Sequence, residues 1–207
     1  MGQLGFYIVS ADCTGCKACE LACKDKHGLT VGARPRIVRE VCGGSWELDE
    51  GTGAYTPCNV FTYAVSFSCG HCANPACGAA CPTGACAKDP DTGVVSIDQE
   101  VCIGCGACAQ ACPYGAPQVV EDLGRTVKCD MCRDLVEQGE QPACVATCPQ
   151  RALFVGDIDQ LRAQYGDVAD VQPLPSSDLT QPNVVIAPHR NAVYDESDAP
   201  RALSLGE

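Results

Sequence analysis

Aromatic residues are scarce in this chain of 207 residues, at 5% with a single Trp, and basic side chains are outnumbered by acidic ones, 14 to 26. Each shortage excludes something. Few large side chains leave little material for a conventional core, and the 46% hydrophobic content is inflated by cysteine. The formal charge of -12, with arginines only scattered, as at Arg34, Arg36 and Arg39, argues against nucleic acid as a partner. The longest apolar stretches, near 60–67 and 184–187, fall far short of the ~18 residues a membrane helix needs, so no span is predicted. The opening MGQLGFYIVSADC has no basic leader, twin arginine or cleavage site, and export is therefore expected only in company with a partner that carries a signal. Also missing are a serine–histidine–acid set, a phosphate loop, a glycine-rich dinucleotide fingerprint and any readable carboxylate pair. No site for an organic substrate is legible.

Cysteine is what the chain has in excess: nineteen, of which sixteen fall into four groups of four. They are CTGCKACELAC at 13–23, CGHCANPACGAAC at 69–81, CIGCGACAQAC at 102–112 and CDMCRDLVEQGEQPACVATC at 129–148. Groups one and three have the unbroken spacing of bacterial ferredoxins, and Pro82, Pro113 and Pro149 follow groups two, three and four at once. The pattern points to iron–sulfur clusters, four [4Fe-4S] in number. A zinc site would draw two thiolates from each of two knuckles, whereas Cys102, Cys105 and Cys108 offer three to one object. Such repeated close spacing also speaks against a disulfide scaffold. Clusters would then stand in for side-chain core and contribute folding free energy, and would take the total charge to roughly -20. Electron transfer is the chemistry that remains.

Within each group the third and fourth cysteines are separated by three residues (Cys19/Cys23, Cys77/Cys81, Cys108/Cys112, Cys144/Cys148). On a short helix that spacing puts both sulfurs on one face, a turn apart, so one turn can touch two clusters. Three cysteines of a group are expected to hold one cluster while the fourth crosses to its neighbour. Gly15 and Gly104, each just before a second cysteine, would let amide hydrogens point at sulfur and tune the potential. His71, inside CGHC, is read as a hydrogen-bonding residue, since all four thiolates of its group are present. His27 and His189 belong to no visible constellation.

The repeat predicts an α+β fold of two pseudo-symmetric ferredoxin-like modules with short helices and small antiparallel sheets. Residues 1–62 and 114–170 would form the outer module, carrying groups one and four with a hairpin insertion at 37–62, and 63–113 the inner one. ACAKDPDTGVVSID reads as a hairpin turning at Pro90-Asp91-Thr92-Gly93. RALFVGD reads as a strand, and Asp157 with Gln160 as the start of a helix whose buried side is Ile158, Leu161 and Tyr165, closed by Gly166. The proline-rich tail, 171–207, is expected to run extended, with VVIAP at 184–188 laid against this protein or a partner.

CTGCKACELACKD, VCIGCGACAQACPYGAPQ and the tail GDVADVQPLPSS...QPNVVIAP together resemble one family, the four-cluster iron–sulfur subunit of dimethyl sulfoxide reductase and related molybdopterin oxidoreductases. The likeness covers nearly the whole chain and says more about the subunit type than about the substrate. It implies that group one pairs with group four and group two with group three. Cys13, Cys16, Cys19 and Cys148 would hold the cluster nearest a molybdopterin catalytic subunit, and Cys23, Cys129, Cys132 and Cys144 the second. Cys81, Cys102, Cys105 and Cys108 would hold the third, and Cys69, Cys72, Cys77 and Cys112 the one nearest a quinol-handling membrane subunit. Some relatives carry tryptophan where this chain has Cys105, giving a 3Fe-4S centre; here all four are expected to be [4Fe-4S]. The resemblance also implies a noncatalytic relay in anaerobic respiration, bound through its partners to the cytoplasmic membrane on the extracytoplasmic face by co-export, with the cytoplasmic face as alternative. A soluble polyferredoxin shuttle stays open, as does the equivalent subunit of a formate dehydrogenase, hydrogenase or dehydroxylase.

Three cysteines lie outside the pattern. Cys42 and Cys58 flank a turn centred near Glu50 and would face each other across a hairpin; a disulfide there, which would place the chain in an oxidising compartment, is one reading, and free buried cysteines are the common alternative. Cys86 is read as a small buried hydrophobe.

Overall fold

LGFYIV is apolar on both alternating faces, which suits a strand covered on both sides. In the computed structural model, which describes residues 2–194, it forms β1 (Leu4–Val9) at the centre of the main sheet. In chain order there follow α1 (Ala18–Lys26), β2 (Ile37–Leu48), β3 (Tyr55–Phe67), α2 (Ala76–Ala79), β4 (Cys86–Lys88), β5 (Val95–Ile97), α3 (Ala107–Ala111), β6 (Gln118–Val120) and β7 (Arg125–Val127). The chain continues through α4 (Arg133–Glu137), α5 (Ala143–Ala146), β8 (Leu153–Asp157), α6 (Ile158–Tyr165) and β9 (Val184–Ala187). The result is a small mixed fold of short helices and small sheets.

Three of the four sheets are two-stranded and antiparallel: β2 with β3, β4 with β5, β6 with β7. The fourth departs from the expected small antiparallel sheets. Its order is β8-β1-β9, with β8 antiparallel to β1 and β9 parallel to it, Tyr7 opposite both Phe154 and Val185. The tail segment VVIA is thus a strand of this protein's own sheet, with Val184, Val185 and Ile186 fully buried. The last part of the expected extended tail, 195–207, lies outside the described residues.

One face of this sheet looks into the main core through Phe6 and Ile8; the other carries Tyr7 and Val185 against α6. α6 starts where its cap requires. The Asp157 carboxylate accepts from the Asp159 and Gln160 amides at 3.0 and 3.1 Å, and Gly166 ends the helix. Ile158 is buried, while Tyr165 stays 44% exposed yet stacks on Tyr7 with ring centroids 4.0 Å apart.

The long hairpin β2–β3 is buried at its base and exposed toward its tip, where Asp49 accepts from the Gly51 and Thr52 amides. Its register overturns the disulfide expectation. Leu48 pairs with Tyr55, which centres the turn past Gly51, and an irregularity between Gly43 and Ser45 shifts the ladder once more. Cys42 therefore faces Thr62 and Cys58 faces Ser45. Thr62 and Cys58 are four positions apart on β3, roughly 13 Å of strand, beyond the ~7 Å that a disulfide spans between Cα atoms. No disulfide joins them, and the expected mark of an oxidising compartment is lost with it.

The main core is unusual in its lining. Cys19, Cys69, Cys72, Cys129, Cys144 and Cys148 stand among Phe6, Ile8, Val41, Val65, Phe67 and Ile186. Cysteine occupies the middle of this protein, as the shortage of aromatic residues requires.

Candidate metal centres

Every C-x-x-C step makes the same turn. The residue before the second cysteine has positive φ in all four: Gly15 at 69°, His71 at 43°, Gly104 at 67° and Met131 at 63°. This aims a backbone amide back at the first sulfur, with the His71 and Met131 N–H groups 3.4 Å from the sulfurs of Cys69 and Cys129, and the Gly15 N–H facing Cys13. Glycine adopts the conformation freely; His71 and Met131, each at most 1% exposed, adopt it because the surrounding structure holds them there. Gly104 has a second reason, since a Cβ would collide with the Gly124 carbonyl oxygen of the β6–β7 turn.

The expected helix turns are shorter than the spacing suggested. Only in group one do both cysteines, Cys19 and Cys23, lie within one helix, α1, on its buried side. Cys112 follows α3 directly, and Cys81 and Cys148 lie beyond the ends of α2 and α5, which Pro82 and Pro149 prevent from continuing.

The folded chain gathers cysteines of different groups. Burial pushes the Cys13 thiol up, and Cys19, Cys148 and Cys16 push it the same way. A cavity opens among those four sulfurs, walled by Ile8, Val38 and Leu153. Cys23 is pushed up by burial and by Cys129, Cys144 and Cys132. Cys72 is pushed up to about 11 by burial, with Thr180 opposing and Cys69, Cys112 and Cys77 adding to it. Cys108 and Cys81 share a smaller apolar cluster with Cys77 and Cys86. Cys102 and Cys105 lie on the loop before α3, the first buried and the second exposed.

Cysteines of different sets also influence one another. Cys19 feels Cys144, Cys129 feels Cys69, and Cys108 feels Cys77. Cys69 stands beside Cys129, and the Lys128 ammonium lies 3.5 Å from the Cys69 sulfur while donating to the Cys129 carbonyl. Of the sixteen grouped cysteines only Cys16 and Cys105 are exposed.

Buried polar atoms test whether a sulfide-rich group fits here. Among the described residues, Arg36 Nε, His71 Nε2, Tyr114 Oη and Thr126 Oγ1 are buried without a hydrogen-bond partner. All four stand beside cysteines: Arg36 near Cys19, Cys23, Cys129 and Cys144, Tyr114 near Cys72 and Cys112, Thr126 near Cys108. His71 lies between Cys69 and Cys72, and its Nδ1 accepts from the Val95 amide at 3.0 Å, so in the neutral ring the proton is on Nε2. Burial and then Lys128 hold its pKa well below the usual histidine range, which keeps the ring neutral. Buried donors facing sulfur match a group rich in sulfide acceptors, and the residues fit iron–sulfur clusters.

Sequence reasoning passed over several contributors. Arg36, only 1% exposed, donates to Ser66 O at 2.9 Å and Ser68 Oγ at 3.0 Å and lies over the Phe6 ring at 4.7 Å. Burial opposes its charge, but Cys144, Cys129, Cys19 and Cys23 outweigh burial and raise its pKa. Thr180 donates to Cys72, and Ser66 lies 3.2 Å from Cys19. Cys86, read as a small hydrophobe, is indeed buried, but its thiol also hydrogen-bonds Cys77; the bond lowers Cys77 to about 6 and raises Cys86. None of these has a spacing signal, because each arrives from another part of the chain. His27 had no visible role either; its Nε2 lies 3.5 Å from Asp130 and 4.0 Å from Cys132, beside the second sulfur set.

Comparison with known proteins defines the class first. Residues 60–158 match the 4Fe-4S dicluster domain family, so this is an iron–sulfur protein of the ferredoxin type. The sequence is 51% identical over 190 residues to the B subunit of anaerobic dimethyl sulfoxide reductase from Escherichia coli (strain K12), covering 92% of this protein and 91% of that one. With the corresponding subunit from Haemophilus influenzae it shares 48% over 192 residues, 93% and 92% of the two. Selenate reductase subunit beta of Thauera selenatis is 40% identical over 153 residues, 72% of this protein and 46% of that one. The protein belongs to the family of anaerobic dimethyl sulfoxide reductase B subunits and is an iron–sulfur electron-transfer subunit of a molybdopterin oxidoreductase. Among the described residues no helix is long and apolar enough to cross a membrane.

Proposed function

We propose that the chain relays single electrons between a membrane quinol subunit and a molybdopterin catalytic subunit that reduces dimethyl sulfoxide or a similar oxide, and catalyses nothing itself. Four [4Fe-4S] clusters, the one-electron carriers of this relay, are held by Cys13, Cys16, Cys19 and Cys148; by Cys23, Cys129, Cys132 and Cys144; by Cys69, Cys72, Cys77 and Cys112; and by Cys81, Cys102, Cys105 and Cys108, in that spatial order. The two halves, 1–62 with 114–170 and 63–113, are related modules, and the shared turn geometry of the four C-x-x-C steps supports that relation. The observation that carries the reading is the gathering of cysteines from different groups, Cys19 with Cys144, Cys129 with Cys69 and Cys77 with Cys108, with Cys16 and Cys105 exposed.

The protein matrix holds the carriers close and dry. The Cys16 end faces the catalytic subunit, with Leu21 70% exposed on α1; the Cys105 end faces the quinol subunit, with Ile103 64% exposed beside it. The complex sits peripherally on the cytoplasmic membrane through its partners, on the extracytoplasmic face by co-export.

Anaerobic co-purification tests this directly. A large molybdenum-containing partner and about sixteen iron and sixteen sulfide per chain are expected. A monodisperse monomer would favour a soluble shuttle, and zinc in place of iron would overturn the reading.

A further inference from the structure

Lys128 is a cation buried in the interior. It is 8% exposed, and among the described residues it is in no salt bridge. Its Nζ donates to the Cys129 carbonyl at 2.7 Å and to the Val95 carbonyl, and lies 3.5 Å from Cys69 Sγ. Those three partners come from both halves of the chain. Cys129 opens group four, Cys69 opens group two, and Val95 begins β5, whose amide also fixes the His71 ring. The ammonium thus stands between the first cysteine of group two and the first of group four, with the Cys69 sulfur facing it.

An ammonium is costly to bury without a counter-charge, and three hydrogen-bond donors on a flexible stem are a poor choice for mere packing. The cost is offset if two anionic clusters flank it. With clusters held at Cys69 and at Cys129, one-electron transfer between them would move negative charge from one side of Lys128 to the other. A positive charge between them stabilises the reduced form of each and weakens their mutual repulsion, in a medium too dry for solvent to do so.

We propose that Lys128 is the electrostatic bridge of the relay, a permanent positive charge shared by the two middle clusters that raises both their potentials and joins the two halves of the wire. It is a positioning residue and takes no part in proton transfer. The inference rests on the four-cluster relay proposed above. Absence of clusters from the native complex would remove the relay, whereas full clusters indifferent to position 128 would remove only the role of Lys128.

The test is a potentiometric titration of the intact complex, read by electron paramagnetic resonance, in the native protein, K128Q and K128R. In K128Q the clusters of the Cys129 and Cys69 sets are expected to become harder to reduce, each by about tenfold in its reduction equilibrium, about 59 mV for one electron. The two end clusters should keep their potentials, and K128R should restore both middle ones. If K128Q fails to retain the middle clusters while K128R retains them, the requirement for charge stands. Loss of clusters in both variants, equal shifts in both, shifts spread over all four clusters, or unchanged potentials with full iron content would each overturn the proposal.

Discussion

Thr180 donates its hydroxyl to Cys72 Sγ at 3.1 Å across 108 positions of the chain. The bond is part of a seam in which the tail runs along group two: Asn183 donates to Gly70 O at 2.7 Å, Ala73 to Gln181 O at 2.7 Å and Asn74 to Thr180 O at 3.1 Å. Gly70 has no room for a Cβ, which would meet Pro182 at 2.6 Å. The tail thereby closes the third sulfur set from water. Removing the hydroxyl in Thr180→Val takes away a hydrogen bond to a charged sulfur, worth about 1.5–3 kcal/mol. The cluster held there should become harder to reduce while the other three keep their potentials, as a redox titration by paramagnetic resonance would register. Equal potentials in variant and native protein would contradict a role for the tail.

Cys105→Ser is expected to convert or destroy only the cluster of the Cys81 set. Because that set stands at the quinol end of the proposed relay, quinol-linked reduction should fail while the remaining clusters still accept electrons from a small artificial donor. Quinol-linked activity at the native level would show the linear relay to be wrong.

Cys42 and Cys58 should both take up an alkylating label in protein denatured without reductant, as seen by mass spectrometry. A mass deficit of two hydrogens linking the two peptides would contradict the observed register.

The raised thiols give the cluster-free chain a defined response to pH. Cys72 and Cys129 are pushed up to about 11 and about 12, chiefly by burial, above the ordinary thiol value. The folded state therefore holds their protons more tightly than the unfolded state. Their contribution to stability is complete below the ordinary thiol value and is lost as pH rises through the folded values. Cluster ligation reverses the sign, since each thiol must give up its proton. Denaturant midpoints of the apo chain should fall above about pH 9, whereas iron retention by the holoprotein should improve from acid toward neutral pH; parallel trends in the two would contradict the assignment.

Asp157→Ala removes the side-chain cap of α6 and should cost about 1 kcal/mol in a denaturant titration. Asp157→Asn, which can still accept from the Asp159 and Gln160 amides, should recover most of it.

Local chemistry was legible wherever a residue acts on its near neighbours. The turn at Pro90-Asp91-Thr92-Gly93 appears between β4 and β5, with Asp89 accepting from the Asp91 and Thr92 amides, and Asp157 caps α6 as its spacing from Gln160 indicated. The Cys42–Cys58 expectation failed because a turn centre displaced by little more than a residue, and one irregularity in the ladder, are enough to move a thiol several strand positions away. Arg36, Lys128 and Thr180 were illegible for another reason. Their meaning lies in which sulfurs they meet, and no spacing records that.

By itself the sequence determined the chemistry: sixteen cysteines in four groups, too few aromatic residues for an ordinary core and no substrate site leave electron transfer through iron and sulfide. Ligand type and spacing are properties of adjacent residues, so they can be read in one dimension. Only the tertiary structure decided which sulfurs of different groups stand together, the parallel seating of the tail beside β1 and the burial of two cations among thiols. Those depend on long-range packing, which brings Cys69, Val95 and Cys129 to one ammonium although they are widely separated along the chain.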